Sequence, residues 1–274
     1  MAGVTNEQQP ERAGQDLQLD IPNPARVYDY LIGGKLNYAM DRAFADKVIE
    51  QLPRAREMAM MNRGWLRRAV KFGISQGIRQ FLDIGSGMPT EGHVHEVAQE
   101  LAPESRVVYV DNEAIAVAHS EIVLEGNDLA AMINADGEQP EDVLDHPVTQ
   151  NLLDFSKPVM VFFACFVHFI PDSRDPAALI AEYRDALAPG SYLALSSDTS
   201  DLADDEMTRA VALYENTTRP LFLRSGDELR ALMDGFEIVE PGVVFTPEWR
   251  PENPEDVGSN PERASILAVV GRKP

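Results

Sequence analysis

Five nearly continuous apolar runs, at residues 81–84, 106–110, 131–134, 159–166 and 191–196, constrain this chain more than any single motif. A strand with one wet face alternates apolar and polar residues; an unbroken apolar run suits a strand buried on both faces. Helical periodicity recurs at 91–101, 113–123, 176–187, 202–216 and 226–233. The combination predicts an α/β fold, an open doubly wound parallel sheet with helices on both sides. The tail departs from this alternation: "FEIVEPGVVF" and "ASILAVVGRK" are joined by "TPEWRPENPEDVGSNPER", with no helix between them. That predicts an antiparallel pair closing one edge of the sheet. In such a sheet the ligand lies above the carboxyl ends of the strands.

Ahead of the first strand the chain reads in two parts. Residues 1–20 are polar and predicted to be a disordered arm. Residues 21–76 form a helical extension, in which apolar spacing from Asp41 to Gln76 breaks near Pro53 into two helices. Residues 77–274 are then the sheet domain. With 44% hydrophobic residues among 274, the chain can bury a full core as one unit.

Charge narrows the partners. Lys and Arg number 24 against 45 Asp and Glu, a formal charge of −21 that repels phosphate backbones and anionic membranes. The longest apolar stretch, "VMVFFACFVHFI", has 12 residues where a membrane span needs about 20. One cysteine, Cys165, provides neither a disulfide framework nor a multi-cysteine metal site. The opening residues lack the charged-then-apolar order of a signal peptide. The expectation is a cytoplasmic protein working on a small molecule, without nucleic acid, membrane or metal; composition says nothing of oligomeric state.

The stretch "FLDIGSGMPTEG" (81–92) couples the first strand to a glycine turn. Gly85 and Gly87 permit a tight turn and close backbone approach, but position 90 is Thr, so the third glycine of a dinucleotide fingerprint is missing. "RVVYVDNE" ends the second strand on Asp111, 26 residues beyond Gly85, where an acid can accept both hydroxyls of a ribose. Asp83 then separates the candidate nucleosides by charge. A dinucleotide would bring an anionic pyrophosphate to this turn, whereas S-adenosylmethionine (SAM) brings a sulfonium and an ammonium. "INADGEQPEDV" ends the third strand on Asp136, placed to accept an adenine amine. Each acid taken singly also fits a loop-capping or solvated carboxylate.

These segments, "FLDIGSG", "VVYVDNE" and "NADGEQP", resemble the successive cofactor motifs of class I SAM-dependent methyltransferases. Closer still is the resemblance to a bacterial S-adenosyl methyltransferase family formerly classed as a domain of unknown function. It takes in "PNPARVYDYLIGGKLNYAMDR" (22–42), "MNRGWLRRAV" (61–70) and "PTEGHVHEVA" (89–98), and so most of residues 21–273. The resemblance implies a Rossmann-like, seven-stranded sheet with an antiparallel last strand. It implies that Asp83, Gly85, Ser86 and Gly87 line the methionine end of the cofactor, that Asp111 holds the ribose beside Asn112, and that Asp136 and Gly137 hold the adenine. Phe163 and Ala164 would offer backbone near the ammonium. Pro89 and Thr90 depart from the usual third small residue. Arg63 either pairs with the cofactor carboxylate or is a surface arginine on an amphipathic helix.

For the acceptor, His168 in "CFVHFIPD" resembles the histidine that follows the fourth strand and serves as general base in many small-molecule O-methyltransferases. The competing reading is a hydrogen-bonded packing histidine. Tyr28, Tyr30 and Tyr38 flank Gly33 and Gly34 and read either as a lid over cofactor and acceptor or as a packed helix with a glycine stop before a capping Asp41. The loop 246–262, with Trp249 and several prolines, reads as another wall or as a plain surface connection. His93 and His95 point to different faces of a helix start, so no metal pair is expected; Cys165 reads as core. The function implied is SAM-dependent methyl transfer to a small molecule, with O-methylation as one form of it. An NAD(P)-dependent oxidoreductase and a SAM-binding module without catalysis stand as alternatives.

Overall fold

The apolar runs form the parallel strands β1 (Gln80–Ile84), β2 (Arg106–Asp111), β3 (Ala130–Asn134), β4 (Met160–Ala164) and β5 (Tyr192–Asp198) of a computed structural model that describes residues 20–90 and 92–274. The predicted arm lies outside these residues except for Asp20. Two short strands, β6 (Glu237–Ile238) and β7 (Val244–Phe245), and the long β8 (Ile266–Arg272) complete the sheet. Its order is β3-β2-β1-β4-β5-β8-β6, with β7 also on β8. β8 runs antiparallel to β5 along its whole length, from Tyr192 opposite Arg272 to Asp198 opposite Ile266.

Eight strands thus occupy seven positions. β6 pairs with the Gly271 end of β8 and β7 with the Leu267 end, so they are two pieces of one edge strand. The expected single run 236–245 splits because Pro241 has no N–H for the ladder and Gly242, at φ 95°, turns the chain back. β4 likewise stops short of the expected residue 166, because Cys165 takes a left-handed conformation, φ 54°.

The helices are α1 (Pro24–Leu31), α2 (Ala39–Gln51), α3 (Ala55–Ser75), α4 (Val94–Leu101), α5 (Ala114–Val123), α6 (Pro140–Leu144), α7 (Pro147–Leu152), α8 (Pro176–Ala186), α9 (Asp205–Leu213) and α10 (Gly226–Leu232). α6 and α7 were not expected, since each is too short to show a helical period; both open on a proline in the first turn.

Strand side chains alternate between faces, and this sorts the core in two. Leu82, Ile84, Val108, Val110, Val161, Phe163, Leu193 and Leu195 pack beneath α8 and α10. Phe81, Val107, Tyr109, Met160, Phe162 and Ala194 pack beneath α3, α4 and α5. A third apolar cluster joins α1, α2, α3 and α9 through Val27, Leu31, Val48, Leu52, Met58 and Met207, with Ile266 of β8 beneath it. Two buried arginines brace this cap: Arg26 of α1 pairs with Asp41 at 2.8 Å and, across to the start of α5, with Glu113, and Arg54 pairs with Asp204 and Glu206 at the start of α9.

Candidate functional site

A cavity of about 200 Å³ lies where the chain reverses between β1 and β4, roofed by the cap. A second hollow beside His93, His95 and Tyr109 has no room for a water molecule. The main cavity gathers Arg63, Asp83, Gly85, Ser86, Gly87, Asp111, Asn112, Asp136, Gly137, Ala164 and Tyr28 from the expected set, together with His168.

The glycine turn is set by β2. The amides of Gly85 and Ser86 donate to the Val110 carbonyl at 2.8 and 3.0 Å. The Gly87 amide donates to Asp111 Oδ2 at 2.8 Å. Gly85 and Gly87 both sit at φ 68°, and a Cβ on Gly85 would stand 2.3 Å from the Phe166 ring. These amides are therefore spent inside the protein. At the start of α4, Glu96 accepts from the Gly92 and His93 amides at 2.6 and 3.1 Å, so a carboxylate holds the place an anion would need. A pyrophosphate finds no cradle on this turn, which weighs against the dinucleotide alternative.

The carboxylates are arranged differently from one another. Asp83 is buried and its carboxyl meets no hydrogen-bond donor among the described residues; burial pushes it up to about 7, with nearby Arg63 opposing and Asp111 adding to the shift. Asp111 accepts from the Gly87 amide through one oxygen and from the Glu113 amide, at 2.8 Å, through the other. Burial raises its pKa as well, while those two amides hold it down. Each of its oxygens keeps a lone pair for a further donor such as a sugar hydroxyl. Asp136 accepts from the Glu138 amide at 3.1 Å, and Arg219 reaches over it at 3.7 Å while pairing with Glu138. Arg63 is buried and not at the surface; its Nη2 donates to the carbonyl and hydroxyl of Thr90, each at 3.1 Å, which fixes the turn at the Pro89–Thr90 departure. The Ser86 hydroxyl is buried without a partner among the described residues. A carboxyl without a hydrogen-bond donor, a spare hydroxyl and an acid with free lone pairs suit a cationic nucleoside.

Several expected residues stand elsewhere. Phe163 points into the sheet core and does not line the cavity; its neighbours Ala164, Cys165 and Phe166 do. The Tyr30 hydroxyl donates to Asp46 at 3.0 Å on the outside, and Tyr38 is exposed beneath Arg26. Only Tyr28 of the three tyrosines faces the site. Gly33 and Gly34 are a helix stop: Gly34 donates to the Asp29 carbonyl at 2.8 Å, and a Cβ there would strike the Asp29 carboxyl at 1.9 Å. The wall expected from 246–262 is absent from the cavity lining; Trp249 is fully buried against Phe72, and Arg68 donates to its carbonyl at 3.0 Å. Cys165 packs against the third apolar cluster and also lines the cavity.

His168 does not suit a general base. Its Nδ1 accepts the Asp198 amide at 3.0 Å, so the basic lone pair is occupied. Burial, with the Arg224 charge, lowers its pKa to about 3. A neutral imidazole held by backbone is the packing reading. The geometry brings forward instead Asp198 at the end of β5, Asn62 on α3 and Tyr214 after α9, all on the cavity wall. Asp198 was concealed in the sequence because "LALSSD" reads as the end of a buried strand. Its position at a strand's carboxyl end was the available signal.

The chain matches a family described as S-adenosyl methyltransferase over residues 10–274. No curated protein matches it. Among solved structures, a Thermobifida fusca YX protein assigned provisionally to the methyltransferases is 38% identical, covering 94% of this chain and 97% of that one, with a TM-score of 0.88. A DUF574 family protein from Streptomyces avermitilis MA-4680 is 37% identical over 94% of this chain and 100% of that one, with a TM-score of 0.90. The SAM-dependent methyltransferase SibL, at 16% identity over 96% of this chain and 67% of that one and a TM-score of 0.52, shares the fold.

Proposed function

This chain belongs to the S-adenosyl methyltransferase family, its cofactor is S-adenosylmethionine, and on that premise we propose that it methylates a small molecule held in the apolar half of the cavity. The observation that carries this reading is the two-sided lining. Carboxylates from three strand ends face one half, and Leu31, Val48, Leu52, Met58, Met207 and Ala210 of the cap face the other. The bound cofactor supplies a methyl group already activated on a sulfonium. The protein's own part is to orient and to exclude water. Asp83 receives positive charge, Asp111 receives ribose hydroxyls, and Asp136 with Gly137 borders the base. Arg63, beside Thr90, is placed to meet the cofactor's carboxylate. The extension 21–76 is the roof that excludes water and shapes the acceptor chamber, on the sheet domain 77–274.

The formal charge of −21 and the enclosed chamber favour a small molecule over nucleic acid. No described helix is long and apolar enough to cross a membrane, and we place the protein's work in the cytoplasm, where the thiol of Cys165 stays reduced. Calorimetric titration with SAM, its demethylated product and NAD tests the reading. Binding of the first two and not of NAD is expected; NAD binding alone would overturn it. A sensor without catalysis would bind SAM and leave every acceptor unmethylated.

A further inference from the structure

The acceptor half of the cavity is mainly apolar, with a few polar side chains on its wall, among them Asp198, Asn62, Tyr28 and Tyr214. Asp198 ends β5 on its wall, and no donor meets the Asp198 carboxyl among the described residues. The nearest basic atom, His168 Nδ1 at 3.6 Å, is committed to the Asp198 amide and stays neutral. The two arginines that line the cavity are engaged at the cofactor end, Arg63 with Thr90 and Arg219 with Glu138. A second orphan lies in the same chamber: Asn62 donates to the Tyr28 hydroxyl at 3.2 Å and leaves its Oδ1 buried without a partner. Tyr28 in turn donates to the Ala59 carbonyl at 3.0 Å, so its own proton is spent. The Asp198 carboxyl and Asn62 Oδ1 are both acceptors; the Tyr214 hydroxyl, close enough to feel the Asp198 charge, lies on the same wall. A ligand that brings donors satisfies both, and an acceptor left unmet once the chamber fills is costly enough to favour such a ligand.

We propose that the methyl acceptor is a small apolar amine whose nitrogen docks on the Asp198 carboxyl. This rests on the methyltransferase reading above. A phenol or alcohol offers one donor for two acceptors, and its deprotonated oxygen would face the carboxylate. An ammonium offers up to three donors and the opposite charge. The step balances as follows. The ammonium gives one proton to the Asp198 carboxylate; the freed nitrogen lone pair forms the bond to the methyl carbon as the carbon–sulfur bond breaks. The electron pair of that bond stays on sulfur, which becomes a neutral thioether, and the positive charge passes to the methylated nitrogen. Burial holds the Asp198 carboxyl near 7, where it takes a proton readily at neutral pH.

The test is calorimetry on protein saturated with S-adenosylhomocysteine, using matched amine, alcohol and carboxylate sets on phenylethyl, hexyl and cyclohexylmethyl bodies. At least one amine should bind about tenfold or more tighter than its alcohol, the scale of a hydrogen bond to a charged group, and its carboxylate should not compete. Asp198→Asn and Asp198→Ala should bind S-adenosylhomocysteine normally and lose the amine preference. Alcohols binding as well as amines, no binding from any of the three bodies, or an amine preference that survives both substitutions would each overturn the inference. The wild-type preference needs no variant to fold. Failure to bind S-adenosylhomocysteine at all would count against the methyltransferase reading itself, separately from the amine.

Discussion

Replacing Asp83 with asparagine should make the protein more stable and a worse binder, and the pH dependence should show why. In the free protein the Asp83 carboxyl is raised from 3.8 to about 7, chiefly by burial. At about 1.4 kcal/mol per unit, three units correspond to roughly 4 kcal/mol against the ionised form. Because the folded value lies above the unfolded one, this group's stabilising contribution is complete below about pH 4. It is lost as pH rises through about 7. A cation bound beside it prefers the carboxylate, so below pH 7 each binding event must release a proton. The dissociation constant for SAM should then weaken about tenfold per pH unit, reaching roughly 100-fold at pH 5 relative to the plateau above 7. Asp83→Asn should abolish the slope. Its affinity at pH 7.5 should be no better than that of the wild type near pH 5, since a protonated aspartate and an asparagine are alike in shape and charge. Asp198, the other cavity carboxyl near 7, is controlled by showing that Asp198→Asn keeps the slope. Calorimetry in buffers of different ionisation enthalpy counts the proton directly, and urea unfolding without ligand at pH 8 should show Asp83→Asn more stable by up to about 4 kcal/mol. A flat wild-type profile between pH 5 and 7.5, or an unchanged slope in Asp83→Asn, would refute the claim that this acid receives positive charge.

Gly85→Ala should cost about 1–3 kcal/mol or more, because it combines a left-handed backbone with a Cβ placed 2.3 Å from the Phe166 ring; denaturant unfolding measures the cost, and SAM affinity should fall with it. His168→Ala should destabilise by about 1–3 kcal/mol through the unpaired Asp198 amide, and the pH profile of any methyl transfer should keep its shape. A lost ionisation in that profile would restore His168 as the base.

The comparison of sequence with structure divides along the range of the interactions. The five apolar runs placed β1 to β5 within a few residues because burial on both faces leaves a period that local composition records. Their order brought Asp83, Asp111 and Asp136 to one edge of the sheet, and all three line the cavity. Residues whose placement depends on what they meet far along the chain were not legible. Tyr28 and Tyr30 are two positions apart on α1, yet one faces the chamber and the other reaches Asp46 outside. His168 looked catalytic by position, and only the β5 amide that occupies its lone pair decides otherwise. Trp249 looked like a wall, but α3 buries it against Phe72, outside the cavity lining.

By itself, then, the sequence determined a doubly wound sheet and the strand ends at which Asp83, Asp111 and Asp136 gather, because burial periodicity and the acid beside a glycine turn are written locally. The tertiary structure alone decided which polar groups of the acceptor chamber are left without a donor among the described residues. Asp198 and Asn62 are 136 positions apart in "LALSSD" and "MNRGWL", and whether a polar group is satisfied depends on every atom that folding brings around it.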